Sequence, residues 1–274
     1  MASGIKKRTG SDYSDGRPGR INYHSEDEYR TITLTLQATA EDMHDITHLR
    51  DAVNELFDDE LMLREMRIKS VEVEYESMGQ RTGEMQLGAP EYVNGKQIKV
   101  AMVNSPEIDD TALVSTFTVE FETTESPYFE TIYTTLELHD SGYSATAEKY
   151  GLVDNIDDEK VKYRFTENNF TVYNAGNVAI EPESMKLNII ANAVQSTNNF
   201  TIRNKTTGEE IVLKRASTGS HFRMQGMVIG LGGITNIFRD TNRRFISLMP
   251  GDNQFEILNG TFEEIRFEFK YLYK

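Results

Sequence analysis

Two histidines four residues apart are the first feature of this sequence that could do chemistry. His44 and His48, in HDITH, have the spacing by which a helix presents two imidazoles to one zinc ion. The zinc-protease motif requires glutamate where Asp45 stands, and a zinc site requires a third ligand. On a helical wheel both histidines point away from the apolar stripe that begins at Ile46. We therefore interpret the pair as part of a solvated helix face.

The remaining patterns that could bind ions or phosphate have simpler interpretations. Asp12 and Asp15 precede a glycine, but the 12-residue calcium loop with its terminal glutamate is absent. A phosphate-binding loop needs Lys-Ser/Thr and a helix after its glycines, and MQGMVIGLGGITN is followed by strand-like sequence instead; its glycines are Gly226, Gly230, Gly232 and Gly233. We interpret this stretch as a mobile loop between strands. The acidic runs 58–60 and 157–159 are typical of solvated turns. We expect no catalytic, cofactor-binding or metal-binding residue, and hence no enzyme and no cofactor.

Composition narrows the class of protein. The 274 residues include no cysteine, which excludes disulfides and thiolate metal sites. With 29 basic and 44 acidic residues the formal net charge is -15, which argues against direct binding to nucleic acid. No apolar run approaches the roughly 20 residues of a membrane helix, and the basic start lacks the apolar region of a secretory signal. We expect a soluble protein made in the cytoplasm, with the aromatic and Thr-rich composition of strands.

The first half of the sequence predicts a small sheet with one helix. Residues 1–28 have no periodic apolar face and indicate a loop or an arm. Residues 29–37 alternate as a half-buried strand. A helix at about 45–58, capped by Asp45 or Thr47, is indicated by an apolar stripe made of Ile46, Leu49, Val53, Leu56 and Phe57. Further strands are predicted at 61–68, 69–78, 97–103 and 115–126, with an irregular loop at 79–95.

The second half predicts a β-sandwich. Residues 139–160 are polar and break the strand rhythm, which places a linker between an N-terminal domain (1–138) and a C-terminal domain (161–274). Short alternating segments separated by turn residues fill the C-terminal domain, at 162–167, 170–176, 184–192, 199–205, 209–216, 221–230, 243–249, 253–259 and 263–273. The predicted fold is therefore mainly β: an N-terminal α+β sheet domain with one packed helix, followed by a β-sandwich.

Four stretches in this order resemble the siphophage distal tail protein (Dit) family of phages that infect Gram-positive bacteria. They are EYRTITLTLQATA (28–40), ITHLRDAVNELFDDELMLREMRI (46–68), TFTVEFETTESPYFET (116–131), and a C-terminal set formed by FTVYNAGNVAIEPESMKLNI, FTIRNKTTGEEI and LMPGDNQFEILNG. The resemblance covers nearly the whole chain, and the order of the stretches carries it. The sequence departs from the family in having only about 28 polar residues before Tyr29, where relatives carry a longer stretch with a hydrophobic segment.

The resemblance implies a structural role at the tail tip of the virion. The chain would form a homohexameric ring whose first domain lines a channel and stacks on the major tail tube protein. The galectin-like or carbohydrate-binding-module (CBM)-like sandwich would project outward and hold receptor-binding proteins, and a tail-associated lysin or tail-tip protein would dock on the opposite face. Genomic DNA would pass through without specific binding, and no membrane is involved.

Two other functions remain open from the residues alone. A carbohydrate-binding module could use the sandwich to recognise host cell-wall glycans, although the chain has no Trp and its Tyr are dispersed. A hydrolase built on His44 and His48 is the third hypothesis. Such a metal site would require both imidazoles to face a pocket.

Overall fold

A computed structural model describes residues 1–12, 21–68, 90–109 and 111–274. The chain divides into two compact units. The first comprises Met1–Arg64, Gln97–Phe129 and Lys274, and the second comprises Glu65–Lys96 and Glu130–Tyr273. The prediction for 69–78 and most of the loop predicted at 79–95 lie outside the described residues.

The described residues form three sheets and three α-helices. The first sheet contains β1 (Ala2–Asp12), β2 (Ile21–Thr39), β3 (Leu61–Ile68), β4 (Pro90–Met102), β5 (Val114–Thr123), β6 (Phe129–Thr131) and, late in the chain, β16 (Leu272–Tyr273). Its order is β1-β2-β5-β4-β6-β16, and β3 pairs with β4. The helices are α1 (Asp45–Phe57), α2 (Thr135–Ser141) and α3 (Tyr143–Tyr150).

The second unit holds the β-sandwich. Its strands are β7 (Arg164–Phe165), β8 (Asn169–Asn174), β9 (Leu187–Ser196), β10 (Phe200–Asn204), β11 (Glu209–Leu213), β12 (Ser217–Gln225), β13 (Val228–Leu231), β14 (Gly251–Leu258) and β15 (Glu264–Phe269). One sheet has the order β11-β10-β14-β8 and the other β13-β12-β9-β15-β7, with antiparallel pairing throughout. The mainly β fold class with a helix-braced sheet and a sandwich is therefore confirmed.

Alternation along β2 and β5 builds the core of the first unit. Ile32, Phe117, Val119 and Phe121 are buried, as their period-2 spacing predicts. Helix α1 covers this face: Val53 belongs to the same cluster, and the rings of Phe57 and Phe121 meet edge to face at 5.6 Å between centroids.

Helix α1 agrees with the sequence prediction in its bounds and differs in two details. Leu56, which we assigned to the apolar stripe, is 63% exposed. The residues of the stripe that face the core are Ile46 and Val53, which are buried, and Leu49 and Phe57, which are partly buried. The free backbone amides at the start of the helix are capped by the side chain of neither Asp45 nor Thr47. Instead, an Asp42 carboxylate oxygen accepts hydrogen bonds from the amides of His44 (2.7 Å) and Asp45 (3.1 Å).

An aromatic cluster joins the two sheets of the sandwich. Phe170 and Phe255 of the four-stranded sheet stack with centroids 5.6 Å apart, and Phe267 of the five-stranded sheet lies 4.8 Å from Phe255. The predicted inward alternation of the last segment is confirmed, since Ile265, Phe267, Phe269 and Tyr271 are all buried. The burial of apolar rings from both sheets is what holds the two layers together.

Several segments depart from their predictions for local reasons. Residues 1–28, predicted as loop or arm, contribute β1 and the start of β2. Residues 90–95, predicted as loop, extend β4, with Gly95 at φ +58° where an added Cβ would lie 2.8 Å from the Gly151 carbonyl oxygen.

The segment 221–230 is a hairpin of two strands. Residues 243–249 bury Ile246 and Leu248 but pair only through an isolated bridge to Ile180.

The segment 139–160, predicted as a linker, contains helical structure. The Thr134 hydroxyl accepts a hydrogen bond from the Glu137 amide at the start of α2, and Gly142, at φ +81°, separates α2 from α3. A 3₁₀ turn follows at Asp158–Lys160. These helices lack an apolar stripe, because α3 buries only Thr146 and α2 only Thr135 and Leu138.

We expect Phe121→Ala to lower the free energy of unfolding by about 3–5 kcal/mol, because it leaves a cavity in the core of the first unit. Leu56→Ala, a matched control on the exposed side of α1, should change it by less than about 0.5 kcal/mol. Urea unfolding followed by circular dichroism measures both. Equal losses in the two variants would contradict the assignment of the core.

Candidate assembly surface

Among the described residues, those considered for metal binding do not come together into a site. His44 and His48 are both exposed at the start of α1, which matches the solvated face expected from the helical wheel. Within the described ranges, no group of three or more His, Asp or Glu side chains could hold a metal ion. Asp12 ends β1, and Asp15 lies outside the described residues.

The acidic runs and the glycines have structural partners. Asp157 accepts a hydrogen bond from the Glu159 amide at 3.2 Å and so begins the 3₁₀ turn, and Glu60 forms an ion pair with Lys99 at 2.7 Å. Gly226, at φ +56°, turns the chain between β12 and β13, and Gly230 lies within β13. The glycine-rich stretch therefore contains the turn between β12 and β13 and the strand β13 itself. Our prediction of a single loop there is wrong.

The first sheet has a two-stranded extension. β1 and β2 pair from Ala2↔Thr33 to Asp12↔Ile21, whereas β5 pairs with β2 only over residues 31–39. Residues 6–12 and 21–29 therefore form a hairpin arm with no third strand among the described residues. A two-stranded ribbon is only marginally stable on its own in water, so side-chain contacts must support this arm.

Asp27 is the centre of that support. Its carboxylate accepts a hydrogen bond from the Tyr128 hydroxyl at 2.9 Å and forms ion pairs with Lys274 at 2.8 Å and Lys7 at 3.8 Å. The hydrogen bond from Lys274 lowers the pKa of Asp27 below its ordinary value of 3.8, helped by Tyr128 and by the charges of Lys274 and Lys7, although burial opposes the shift. With only 8% of this side chain exposed, Asp27 ties three separate segments of the first unit together.

Arg30 fixes the base of the arm. Its Nε donates to the Pro127 carbonyl oxygen at 2.8 Å, and one terminal nitrogen donates to the Ser3 hydroxyl at 2.9 Å. The guanidinium carbon lies 4.9 Å from the centroid of the Phe129 ring, in a cation–π contact. Arg30 is 6% exposed, so the arm starts from a rigid, desolvated anchor. Sequence reasoning missed Asp27 and Arg30, because their partners are distant in the chain and follow no periodic pattern.

Two surfaces of the first unit remain unpaired in the described part of the chain. One is the outer edge of β1, which pairs with β2 on one side only. The other is the sheet face opposite the core, where β2 and β5 place Thr31 opposite Glu122, Thr33 opposite Glu120 and Thr35 opposite Thr118. An open strand edge is a template for pairing or docking. The Thr- and Glu-rich face carries no positive charge on these two strands.

The geometry defines a fold class: a helix-braced sheet with an anchored arm and an open edge in the first unit, and a β-sandwich in the second. No protein-family model matches the chain, and no curated protein sequence matches it. The crystal structure of Dit from phage SPP1, a paradigm for the hub of the adsorption apparatus in phages infecting Gram-positive bacteria, is similar to it. The TM-score is 0.59 at 9% identity, covering 97% of this chain and 89% of that chain. The chain thus has the fold of this hub protein, as the ordered stretches of its sequence indicated.

Two structures of the phage P2 baseplate in its activated conformation also contain similar chains. The one with Ca gives a TM-score of 0.37 at 12% identity, with 98% of this chain and 87% of that chain covered. The one with Sr gives 0.38 at 13% identity, with 97% and 87% covered. At these scores the P2 chains add nothing to the fold assignment. In the described residues no helix is long and apolar enough to cross a membrane.

We expect Asp27→Asn to reduce stability at pH 7 by about 1–3 kcal/mol, because hydrogen bonds to a charged group are lost. A carboxylate with a lowered folded pKa stabilises the protein above its ordinary pKa of 3.8 and loses that contribution as the pH falls through the folded value. Unfolding midpoints measured from pH 7 to pH 2 should therefore fall less steeply in the variant. Glu28→Gln, an exposed neighbour, is the matched control and should follow the wild type. An unchanged acid dependence in Asp27→Asn would contradict the role of this carboxylate.

Proposed function

We propose that this chain is a structural subunit of the tail-tip hub of a long-tailed phage, in which copies of it form a homohexameric ring that joins the tail tube to the tail-tip and receptor-binding proteins. The likeness to SPP1 Dit over 97% of the chain is the observation that carries the proposal. The open edge of β1 supports it, because a ring requires a heterologous interface on each subunit. The role is assembly, and the protein would be located in the virion.

Each part of the chain has its own task in this hub. The N-terminal domain (1–138) forms the ring and stacks on the major tail tube protein. The segment 139–160 connects it to the C-terminal sandwich (161–274), which faces outward toward receptor-binding proteins. A tail-associated lysin or tail-tip protein docks on the opposite face of the ring.

The Thr- and Glu-rich face of β2 and β5 suits a channel wall. Thr116, Thr118 and Glu120 are exposed on this face. A wall that carries hydroxyls and carboxylates offers phosphate no cationic partner, so DNA can pass without being held.

Sugar binding by the sandwich has less support. Glycan sites usually present an exposed aromatic platform, and every Phe and Tyr in 161–274 is buried or half-buried. The stacked pair Phe238 and Phe245, with centroids 5.6 Å apart, is half-buried as well. The aromatic rings of this domain therefore serve its core, and we propose no glycan site.

We expect purified full-length protein to form a discrete ring, seen by negative-stain microscopy and as a single oligomeric mass by multi-angle light scattering. Six subunits are the expected number. A protein that stays monomeric at concentrations of tens of micromolar would refute the proposed function. The Phe121→Ala variant, which weakens the core of the first unit, should lose the ring at temperatures where the wild type keeps it.

We expect the double variant Thr118→Lys/Glu120→Lys to make the ring retain double-stranded DNA at low salt, with affinity falling steeply as salt rises. A gel-shift titration measures this. The control variant Thr218→Lys/Glu263→Lys makes the same change in charge at exposed positions of the sandwich. It should bind DNA at least about tenfold more weakly, because its lysines would not surround a common channel. Equal DNA binding by the two variants would refute the assignment of this face to the channel.

A further inference from the structure

The outermost strand of the first unit is cationic although the chain is strongly acidic. Lys6, Lys7 and Arg8 follow one another on β1, and all three are exposed. Lys7 lies 3.8 Å from Asp27, so its charge is engaged. Lys6 and Arg8 have no ion pair among the described residues. The acidic Glu26 and Glu28 lie on β2, one strand further in, so a molecule that approaches the open edge meets the cations of β1 first.

The end of α1 has the opposite character. Glu55, Asp58 and Asp59 are exposed there, around Leu56, which is 63% exposed, and the last turn contains no basic residue. The C-terminal end of a helix carries partial negative charge from its free carbonyl groups, so carboxylates at this end destabilise the helix and cations stabilise it. No basic residue in the last turn of α1 therefore offsets this negative charge.

The sheet order keeps these two surfaces apart within one molecule. Phe57 contacts Phe121 on β5, and Glu60 pairs with Lys99 on β4, which places the end of α1 beside β5 and β4. β1 lies at the other side of the order β1-β2-β5-β4, about 10–14 Å away at a spacing of roughly 4.8 Å per strand. The cationic edge and the acidic helix end of one molecule therefore cannot meet each other, whereas those of two copies can.

We propose that the edge of β1, through Lys6 and Arg8, docks on the end of α1 of a second copy of this chain, around Glu55, Leu56, Asp58 and Asp59. The contact is head-to-tail, because it uses different surfaces of the two copies. Such a contact gives a ring when the rotation that relates successive copies closes. This inference rests on the proposed function and names the surfaces that join its subunits. Opposite charges on the two surfaces set the register and disfavour other pairings.

Charge reversal on each surface tests the contact. Variant A is Lys6→Glu/Arg8→Glu, and variant B is Asp58→Lys/Asp59→Lys. Each should weaken subunit association by at least about tenfold, measured by light scattering and sedimentation, because like charges then face one another. A 1:1 mixture of A and B should recover the ring, since A and B alternate with every interface matched. A single chain carrying all four substitutions should recover it as well.

Matched controls separate this contact from general charge effects. Lys186→Glu/Lys205→Glu and Glu181→Lys/Glu183→Lys make the same charge changes at exposed positions of the sandwich and should leave the ring intact. Urea unfolding checks that A and B fold. Because Arg8→Glu would face Glu26 across the arm, Lys6→Glu alone, opposite Tyr29, provides a second variant.

The outcomes distinguish the two proposals. A wild type that forms rings, with A and B monomeric and rescued by mixing, supports the contact. Rings in the wild type that persist unchanged in A and B, or no rescue on mixing, would overturn the contact and leave the ring standing. A wild type that is monomeric would overturn the proposed function and this inference together.

Discussion

The register of β2 is the constraint on which the first unit depends. Ile32 faces Phe121 and Leu34 faces Val119 across the β2–β5 pairing, so the apolar residues meet α1 while the threonines between them form the opposite face. Because the side-chain period of a strand is two, a slip of one residue would exchange these faces. In the arm the pairing of β2 with β1 shifts by one residue between Lys6 and Lys7, and Arg30 and Asp27 lie on either side of that shift. The core and the outer face are thus fixed by one register, and the arm departs from it at the shift.

The sequence was informative wherever burial is one-sided. Periodic apolar positions identified α1, β5 and the inward residues of β15, because a half-buried element must repeat its apolar residues at its own structural period. The short alternating segments likewise identified the sandwich. The order of family-like stretches anticipated a fold that no sequence comparison matches and that a solved hub protein shares.

The arm and the helices α2 and α3 could not be predicted, because too few of their residues are buried to repeat at a structural period. β1 exposes nearly every residue, so it lacks the alternation by which strands are identified, and only its pairing with β2 defines it. Helices α2 and α3 bury two residues and one, too few for a stripe. Tyr128 and Lys274 reach Asp27 from distant parts of the chain, and nothing in the local sequence of any of them signals that contact.

The ion pair between Asp27 and Lys274 also bears on the timing of synthesis. A ribosome that adds about 5–20 residues per second reaches Lys274 on the order of tens of seconds after Asp27. Until then Asp27 in the nascent arm has at most Tyr128 and Lys7 as partners, and its carboxylate lacks Lys274, its nearest cation. The arm acquires its full set of contacts only after the sandwich has been translated. The edge of β1 is therefore fully supported only once the rest of the subunit exists.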